Sequence, residues 1–346
     1  MRKMKAVLFY EPGSIKYTEI EVPCVRPREV LVKVNTALTC GTDVKTYRRG
    51  HPVLIKKVPS GFGHEFSGII EEVGTEVDNF KVGQRVVAAN SAPCNNCYFC
   101  RISRPNLCEN LDLLNGAYAE YIVVPKHIVE QNMIVLPDNV SFEEAAFTEP
   151  LSVVLHGIER SDIDIGTTVG ILGIGPIGLL FAKLAKLSGA RVIAMGRNPL
   201  KLKLAEEFGE ADEVVDLTKP VDPVQYVKGL TPENKGFDVV IEAVGMPEIW
   251  EKAISITRKG GTINLFGGCE SGTKIQIDTR RLHYDELKII SVFHHTPYYV
   301  SKAFRLISNK QIALKHLITK TMPLENLKEA LEMHENGEAI KVAIKP

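Results

Sequence analysis

Residues 168–178 read TVGILGIGPIG, and they decide how the rest of the chain is understood. An apolar strand-like run, TVGILG, leads into G-x-G-x-x-G, formed by Gly173, Gly175 and Gly178. The stretch PIGLLFAKLAKLSG then has helical spacing, with Pro176 at its start and Gly189 at its end. In a strand–turn–helix of this kind each glycine has its own task. Gly173 allows the tight turn, Gly175 lets the backbone approach a pyrophosphate, and Gly178 lets helix pack on strand. Pro176 and Ile177 open the helix, whose free N–H groups and positive dipole end suit a phosphate. A glycine turn alone is common. Here the second strand, RVIAM (191–195), also falls where a dinucleotide-binding unit needs it.

Working outward, PLKLKLAEEFG (199–209) reads as a second helix. EVVD (213–216), FDVVIEAVG (237–245), GTINLFG (261–267) and LKIISVF (287–293) read as further strands. Strands alternating with helices imply a parallel sheet with helices on both faces, the α/β doubly wound arrangement. The chain before residue 141 is different. Its short β-like runs MKAVLFY, EVLVKVN, SGIIEEVG, QRVVAAN and AEYIVVP are punctuated by Gly and Pro, as in an irregular all-β, barrel-like domain. SFEEAAFTEPLSVVLHGIER (141–160) opens with a capping-box pair, Ser141 and Glu144, and is helical. Beyond residue 295, helices are predicted near 298–308 and 323–336, and KVAIKP (341–346) reads as a strand that rejoins the first domain.

The 346 residues suit two domains. Lys plus Arg and Asp plus Glu number 42 each, which leaves no electrostatic footprint for nucleic acid or an anionic membrane. No apolar run is long enough to span a bilayer, and MRKMKAVLFYEPG reads as a first strand, not a signal peptide. Of seven cysteines, four fall within 94–108. That clustering suits a metal site in a reducing compartment, so a cytoplasmic location is expected.

Cys94, Cys97, Cys100 and Cys108 have the spacing C-x2-C-x2-C-x7-C. Four thiolates form a closed, structural zinc shell; the run also resembles an iron–sulfur motif, whose single-cluster spacings differ. A second constellation comprises Cys40 in CGTD, His64 and Glu65 in GFGHEFSG, and Glu149 in TEPLSVVLHG. Cys, His and carboxylate together make a catalytic zinc shell with one open position. Singly, each has an ordinary reading as a core or solvated residue. Cys24 and Cys269 read as ordinary small residues.

The order CGTD, GHEFSG, four-cysteine lobe, EPLSVVLHG, GIGPIG resembles the zinc-dependent medium-chain dehydrogenase/reductase family over essentially the whole chain. Among its members it is most similar to the polyol, threonine and sugar-alcohol dehydrogenases. The resemblance implies a β-rich GroES-like catalytic domain, residues 1–152 and 296–346, interrupted by a Rossmann domain, residues 153–295. It implies one catalytic and one structural zinc per chain. Cys40 and His64 become ligands, and the third is Glu65, Glu149, or each in exchange. Asp43 would hold the ligating histidine, and Thr42 would take the substrate's proton. Relatives with a His five residues after the ligand cysteine complete a proton relay; this chain has Lys45 there. The implied activity is hydride transfer between a nicotinamide and a small polar secondary alcohol or polyol and its ketone.

Alternatives within the family are a threonine 3-dehydrogenase and a sugar-alcohol-phosphate dehydrogenase using NAD, the latter suggested by Arg48, Arg49 and Lys56. A zinc-stabilised binding protein is the non-enzymatic alternative, disfavoured by neutral charge. FHHTPYY (293–299) offers His294 and His295 either to the site or to packing, and His156 suits packing. The family forms homodimers and homotetramers through sheet edges, for which GTINLFGG or TKIQID is the expected edge.

One stretch bears on cofactor choice. VIAMGRNP (192–199) follows the glycines where NAD-binding chains carry an acid for the ribose hydroxyls. Gly196 stands there instead, leaving room for a 2′-phosphate. Arg197 offers a planar donor fork and Asn198 a neutral hydrogen bond. The sequence therefore favours NADP(H) over NAD(H).

Overall fold

The computed structural model describes residues 2–219 and 222–346, and these form two compact units. One runs to Ser152 and resumes at His295–Pro346; the other is Val153–His294.

The first unit is mainly antiparallel sheet. Its strands include β1 (Lys3–Glu11), β2 (Val30–Leu38), β3 (Glu65–Val73) and β4 (Tyr121–Val124). Strand β1 pairs with Ser14–Glu21, a strand not expected from sequence because SIKYTEIE alternates on a largely exposed surface. Strand β2 lies between β3 and the C-terminal strand Lys341–Lys345, and also pairs with β4. Alternating Val, Ile and Phe from these strands, with Leu327, Ala330 and Leu331, fill one continuous core. The pairing register matters for function. Leu38 lies opposite both Glu65 and Ala343. The chain leaving β2 towards Cys40 therefore runs beside the segment entering β3 through His64. The helix α1 (Gly41–Arg49) starts at Cys40, its N-cap.

The segment 141–160 is two helices, Phe142–Ala145 and α2 (Thr148–Arg160). The expected capping box is present, with Ser141 Oγ accepting from Glu144 N–H at 3.3 Å. The predicted helix at 323–336 begins later, at Leu327, because Ile318–Pro323 forms a strand parallel to the C-terminal one.

The second unit is a six-stranded parallel sheet. Its strands are β5 (Thr168–Leu172), β6 (Arg191–Gly196), β7 (Glu213–Asp216), β8 (Phe237–Glu242), β9 (Thr257–Leu265) and β10 (Lys288–Ile290). Their order is β7-β6-β5-β8-β9-β10. The order reverses between β5 and β8, and open α/β sheets bind ligands at the carboxyl ends of strands beside such a switch. All five residues of β5 are buried, as a strand covered on both faces requires. α3 (Pro176–Leu187) and α4 (Pro199–Glu207) follow β5 and β6.

The expected sheet edge is corrected here. GTINLFGG lies in β9, covered by β10 through Thr262–Lys288, Ile263–Ile289 and Asn264–Ile290. TKIQID (273–278) is not a strand, so β10 is the edge on that side. LKIISVF was long enough to suggest a strand, but nothing in its sequence revealed that it lies outside GTINLFGG.

Candidate active site

In the first unit Cys40 Sγ, a His64 ring nitrogen and a Glu65 carboxylate oxygen all lie within 4.8 Å of one another. Strand register brings them together: Cys40 leaves β2 just where His64–Glu65 enters β3. His64 and Glu65 are buried. His64 Nδ1 stands 3.1 Å from Asp43 Oδ1, an ion-pair distance without an aligned hydrogen bond. The ring's other nitrogen is thereby left for the Cys40 side. Burial would depress the imidazole, but the Asp43 carboxylate, with Cys40, raises it well above its ordinary range. Burial would raise Asp43, yet His64 and Tyr118 hold it below the usual carboxylate value. Asp43 Oδ2 also accepts from Cys40 N–H at 3.1 Å.

Glu65 shows a feature hidden from the sequence. One carboxylate oxygen, Oε2, is ion-paired to Lys341, which is itself fully buried in the C-terminal strand. Burial works against the Lys341 charge, but Glu65 restores it above its ordinary value. The other oxygen, Oε1, is buried with no hydrogen-bond partner among the described residues. A buried carboxylate oxygen without a donor is costly. A cation beside Cys40 and His64 would satisfy it, so thiol, imidazole and carboxylate fit zinc.

Glu149, in the first turn of α2, stands outside that tight group but within its electrostatic reach. Burial pushes its carboxyl up to about 7; Glu65 and Asp43 add to the rise, while His64 and Lys341 oppose it. Thr42 is half-buried in the first turn of α1, and Lys45 is exposed. Arg48 is ion-paired to Glu335 on the surface. His295 Nε2 lies 2.8 Å from Asn90 Oδ1, and His156 Nδ1 lies 2.7 Å from the His294 carbonyl. His295 also brings a ring nitrogen within 4.8 Å of a Glu149 carboxylate oxygen.

Cys94, Cys97, Cys100 and Cys108 also converge. Cys97 Sγ lies 3.6 Å from Cys100 Sγ and 3.8 Å from Cys108 Sγ. A tetrahedron with Zn–S bonds of about 2.3 Å has edges of about 3.8 Å. Backbone N–H groups of Asn96 and Cys97 point at Cys94 Sγ and lower that thiol to about 6. Burial pushes Cys100 up to about 12. All four thiols are free, and the lobe fits a closed zinc shell.

In the second unit Gly173 has φ 94, and a Cβ on Gly178 would sit 1.9 Å from the Gly173 carbonyl oxygen. A Cβ on Gly175 would meet nothing within 4 Å. No neighbour within the chain requires that glycine, which leaves the space beside it for a ligand. Gly173, Gly175, Gly196, Arg197 and Asn198 line a cavity of about 400 Å³. Pro176, Ile177 and Gly178 stand in the first turn of α3, beside the cavity without lining it. Asn198 Oδ1 caps α4 by accepting from Lys201 N–H at 3.1 Å, so that oxygen is committed to the helix. Lys201 and Lys252 also line the cavity, and no Asp or Glu does among the described residues. Lys201 is held below its usual value by burial alone.

The "Alcohol dehydrogenase GroES-like domain" family matches residues 26–137, and the "Zinc-binding dehydrogenase" family matches residues 176–309. The chain belongs to the zinc-dependent medium-chain dehydrogenase family. It is an oxidoreductase with a GroES-like domain and a Rossmann-type parallel sheet. Sorbitol dehydrogenase of Bacillus subtilis (strain 168) is 32% identical over 100% of this chain and 98% of the relative. L-threonine 3-dehydrogenase of the same strain is 33% identical over 99% of each. The NADP-bound crystal structure of a zinc-binding dehydrogenase homologue from Sinorhizobium meliloti 1021 superposes with TM-score 0.91 and 32% identity, covering 100% of both chains. Among the described residues no helix of this dehydrogenase is long and apolar enough to cross a membrane.

Sequence reasoning missed Lys341, Tyr118 and Lys201. KVAIKP gives no sign that one lysine faces inward, since strand lysines are ordinarily solvated. Lys201 had a weak signal: it stands three residues after Asn198 in the first turn of the helix that follows GRNP.

Proposed function

We propose that this dehydrogenase carries two zinc ions and transfers hydride between NADP(H) and a small polar secondary alcohol or polyol and its ketone. The observation that supports this best is the convergence of half-buried Cys40 with buried His64 and Glu65. Cys40 and His64 hold the metal, and Glu65 is the third ligand through its otherwise unpartnered Oε1, while Lys341 neutralises the rest of that carboxylate. Bound zinc supplies Lewis-acid polarisation of the substrate oxygen, and the nicotinamide accepts the hydride. Asp43 orients His64. The Thr42 hydroxyl takes the substrate proton, and Lys45, exposed at the relay position, does not carry it inward. Glu149 presents a second, buried carboxyl beside the centre, suited to hydrogen bonding a polar substrate. The four-cysteine lobe holds the structural zinc.

The cofactor preference rests on the cavity. Arg197, Lys201 and Lys252 give it three cations and, among the described residues, no carboxylate, which suits an added 2′-phosphate and leaves the ribose hydroxyls of NAD without their usual acid. Threonine is the second substrate reading, favoured by the similarity to an L-threonine 3-dehydrogenase. The phosphorylated-polyol reading is favoured by the similarity to a D-arabitol-phosphate dehydrogenase. A cytoplasmic homodimer or homotetramer completes the proposal, with β10 as the joining edge. Light scattering measures that mass, and a monomer would remove this part.

Replacement of Cys40 or His64 by Ala is expected to abolish turnover while dinucleotide binding persists. Full activity in both variants overturns the zinc mechanism. A panel of polyols, threonine and simple secondary alcohols, each with both nicotinamides, identifies the substrate.

A further inference from the structure

Tyr118 belongs to none of the motifs above, yet it sits behind the Cys40–His64 centre. Its hydroxyl oxygen lies 2.6 Å from Asp43 Oδ2 and 3.1 Å from the Leu38 carbonyl oxygen. The phenol has one proton, and the ionised carboxylate is the nearer and stronger acceptor. The residue is 1% exposed. Burial and the Asp43 charge raise the phenol well above its ordinary range, so it remains a donor.

Asp43 is thus tied at three points. Oδ2 accepts from Tyr118 and from the backbone N–H of Cys40, while Oδ1 faces the His64 ring. Two of these contacts lead to proposed metal ligands, and the third is Tyr118. The ring of Tyr118 also shapes the segment that delivers His64. Gly63 has φ 91, and a Cβ there would lie 2.6 Å from the Tyr118 ring. The Phe62 ring packs edge-on against Tyr118, with centroids 5.1 Å apart. Without the hydroxyl, Asp43 Oδ2 would keep only the longer Cys40 bond, and the carboxylate plane could turn away from His64.

We propose that Tyr118 is a positioning residue of the catalytic metal centre: its hydroxyl fixes the Asp43 carboxylate, and through it the orientation of both Cys40 and His64. This rests on the reading of Cys40 and His64 as metal ligands. Groups that orient metal-bound imidazoles typically govern metal affinity by about 10–100-fold.

The test is the zinc affinity of each site in the full-length holoprotein, by competition with a chromophoric chelator. The site lost in Cys40→Ala is the catalytic one, and the site lost in Cys100→Ser is the structural one. Tyr118→Phe is expected to weaken the catalytic site about tenfold, leaving the structural site and the melting temperature of the protein unmoved. Asp43→Asn should weaken the same site, with little further loss when both substitutions are combined, since both break one contact chain. Unchanged affinity in Tyr118→Phe overturns the proposal. So does parallel weakening of both sites with a lower melting temperature, or full additivity with Asp43→Asn. Should Cys40→Ala remove no metal, the zinc reading itself fails, an outcome separate from these.

Discussion

At Gly196 the deciding quantity is a distance. A Cβ there would lie 2.3 Å from Ile174 Cγ1 and 2.4 Å from its Cδ1. The usual ribose-binding acid is therefore not merely missing; Ile174 fills the room where its side chain would begin. Gly196→Asp alone should destabilise the protein by about 1–3 kcal/mol, the ordinary cost of overpacking, with no gain in NAD use. Combined with Ile174→Ala, which opens the room, it should lower the Michaelis constant for NAD, at a further cost in stability because Ile174 is buried. Denaturant unfolding with steady-state kinetics measures both, and a single variant as stable as its parent would contradict the packing argument. Arg197→Ala should raise the Michaelis constant for NADP far more than for NAD, whereas equal effects would refute phosphate recognition. The sequence showed the missing acid at this residue. It did not show Ile174, because side-chain volume across the turn is set by how β6 lies beside β5.

The start of the Phe142–Ala145 helix shows what a short element owes to its cap. Ser141 and Glu144 exchange hydrogen bonds, and Lys310 reaches Glu144 Oε1 at 2.7 Å. Ser141→Ala should cost about 1 kcal/mol of unfolding free energy. Burial would raise the Glu144 carboxyl, but Lys310 and Ser141 bring it below its ordinary value. A carboxylate depressed in the folded state adds stability above its unfolded value and loses it as pH falls through the folded one. Unfolding titrations should show this acid-side loss below about pH 4.5, and it should be shallower in Lys310→Met. An unchanged slope would remove the ion pair from the account. This element was legible because a capping box is a local pattern of four residues. The division of 141–160 into two helices was not, since the periodicity runs on across the break.

For the whole molecule, two zinc ions per chain are expected by metal analysis of the purified protein, and one after Cys100→Ser. Loss of the structural ion should open the 94–110 lobe to proteolysis and lower the melting temperature. Binding of a dinucleotide to the Val153–His294 unit should persist, because its cavity is built only from that unit's residues. Abolished binding in that variant would show that the two units are energetically inseparable. The sequence by itself determined the class of each region, the glycine turn and the four-cysteine cluster. Those are patterns of residue type at short spacing, which backbone geometry translates directly. The tertiary structure alone decided which groups back the proposed ligands and which strand forms the sheet edge. Lys341 reaches Glu65 only because the C-terminal strand and β3 flank β2 with Leu38 opposite both Glu65 and Ala343. Tyr118 reaches Asp43 across 75 residues of sequence. Such pairings depend on strand register and on which side of a packed interior each side chain faces, and no local spacing encodes either.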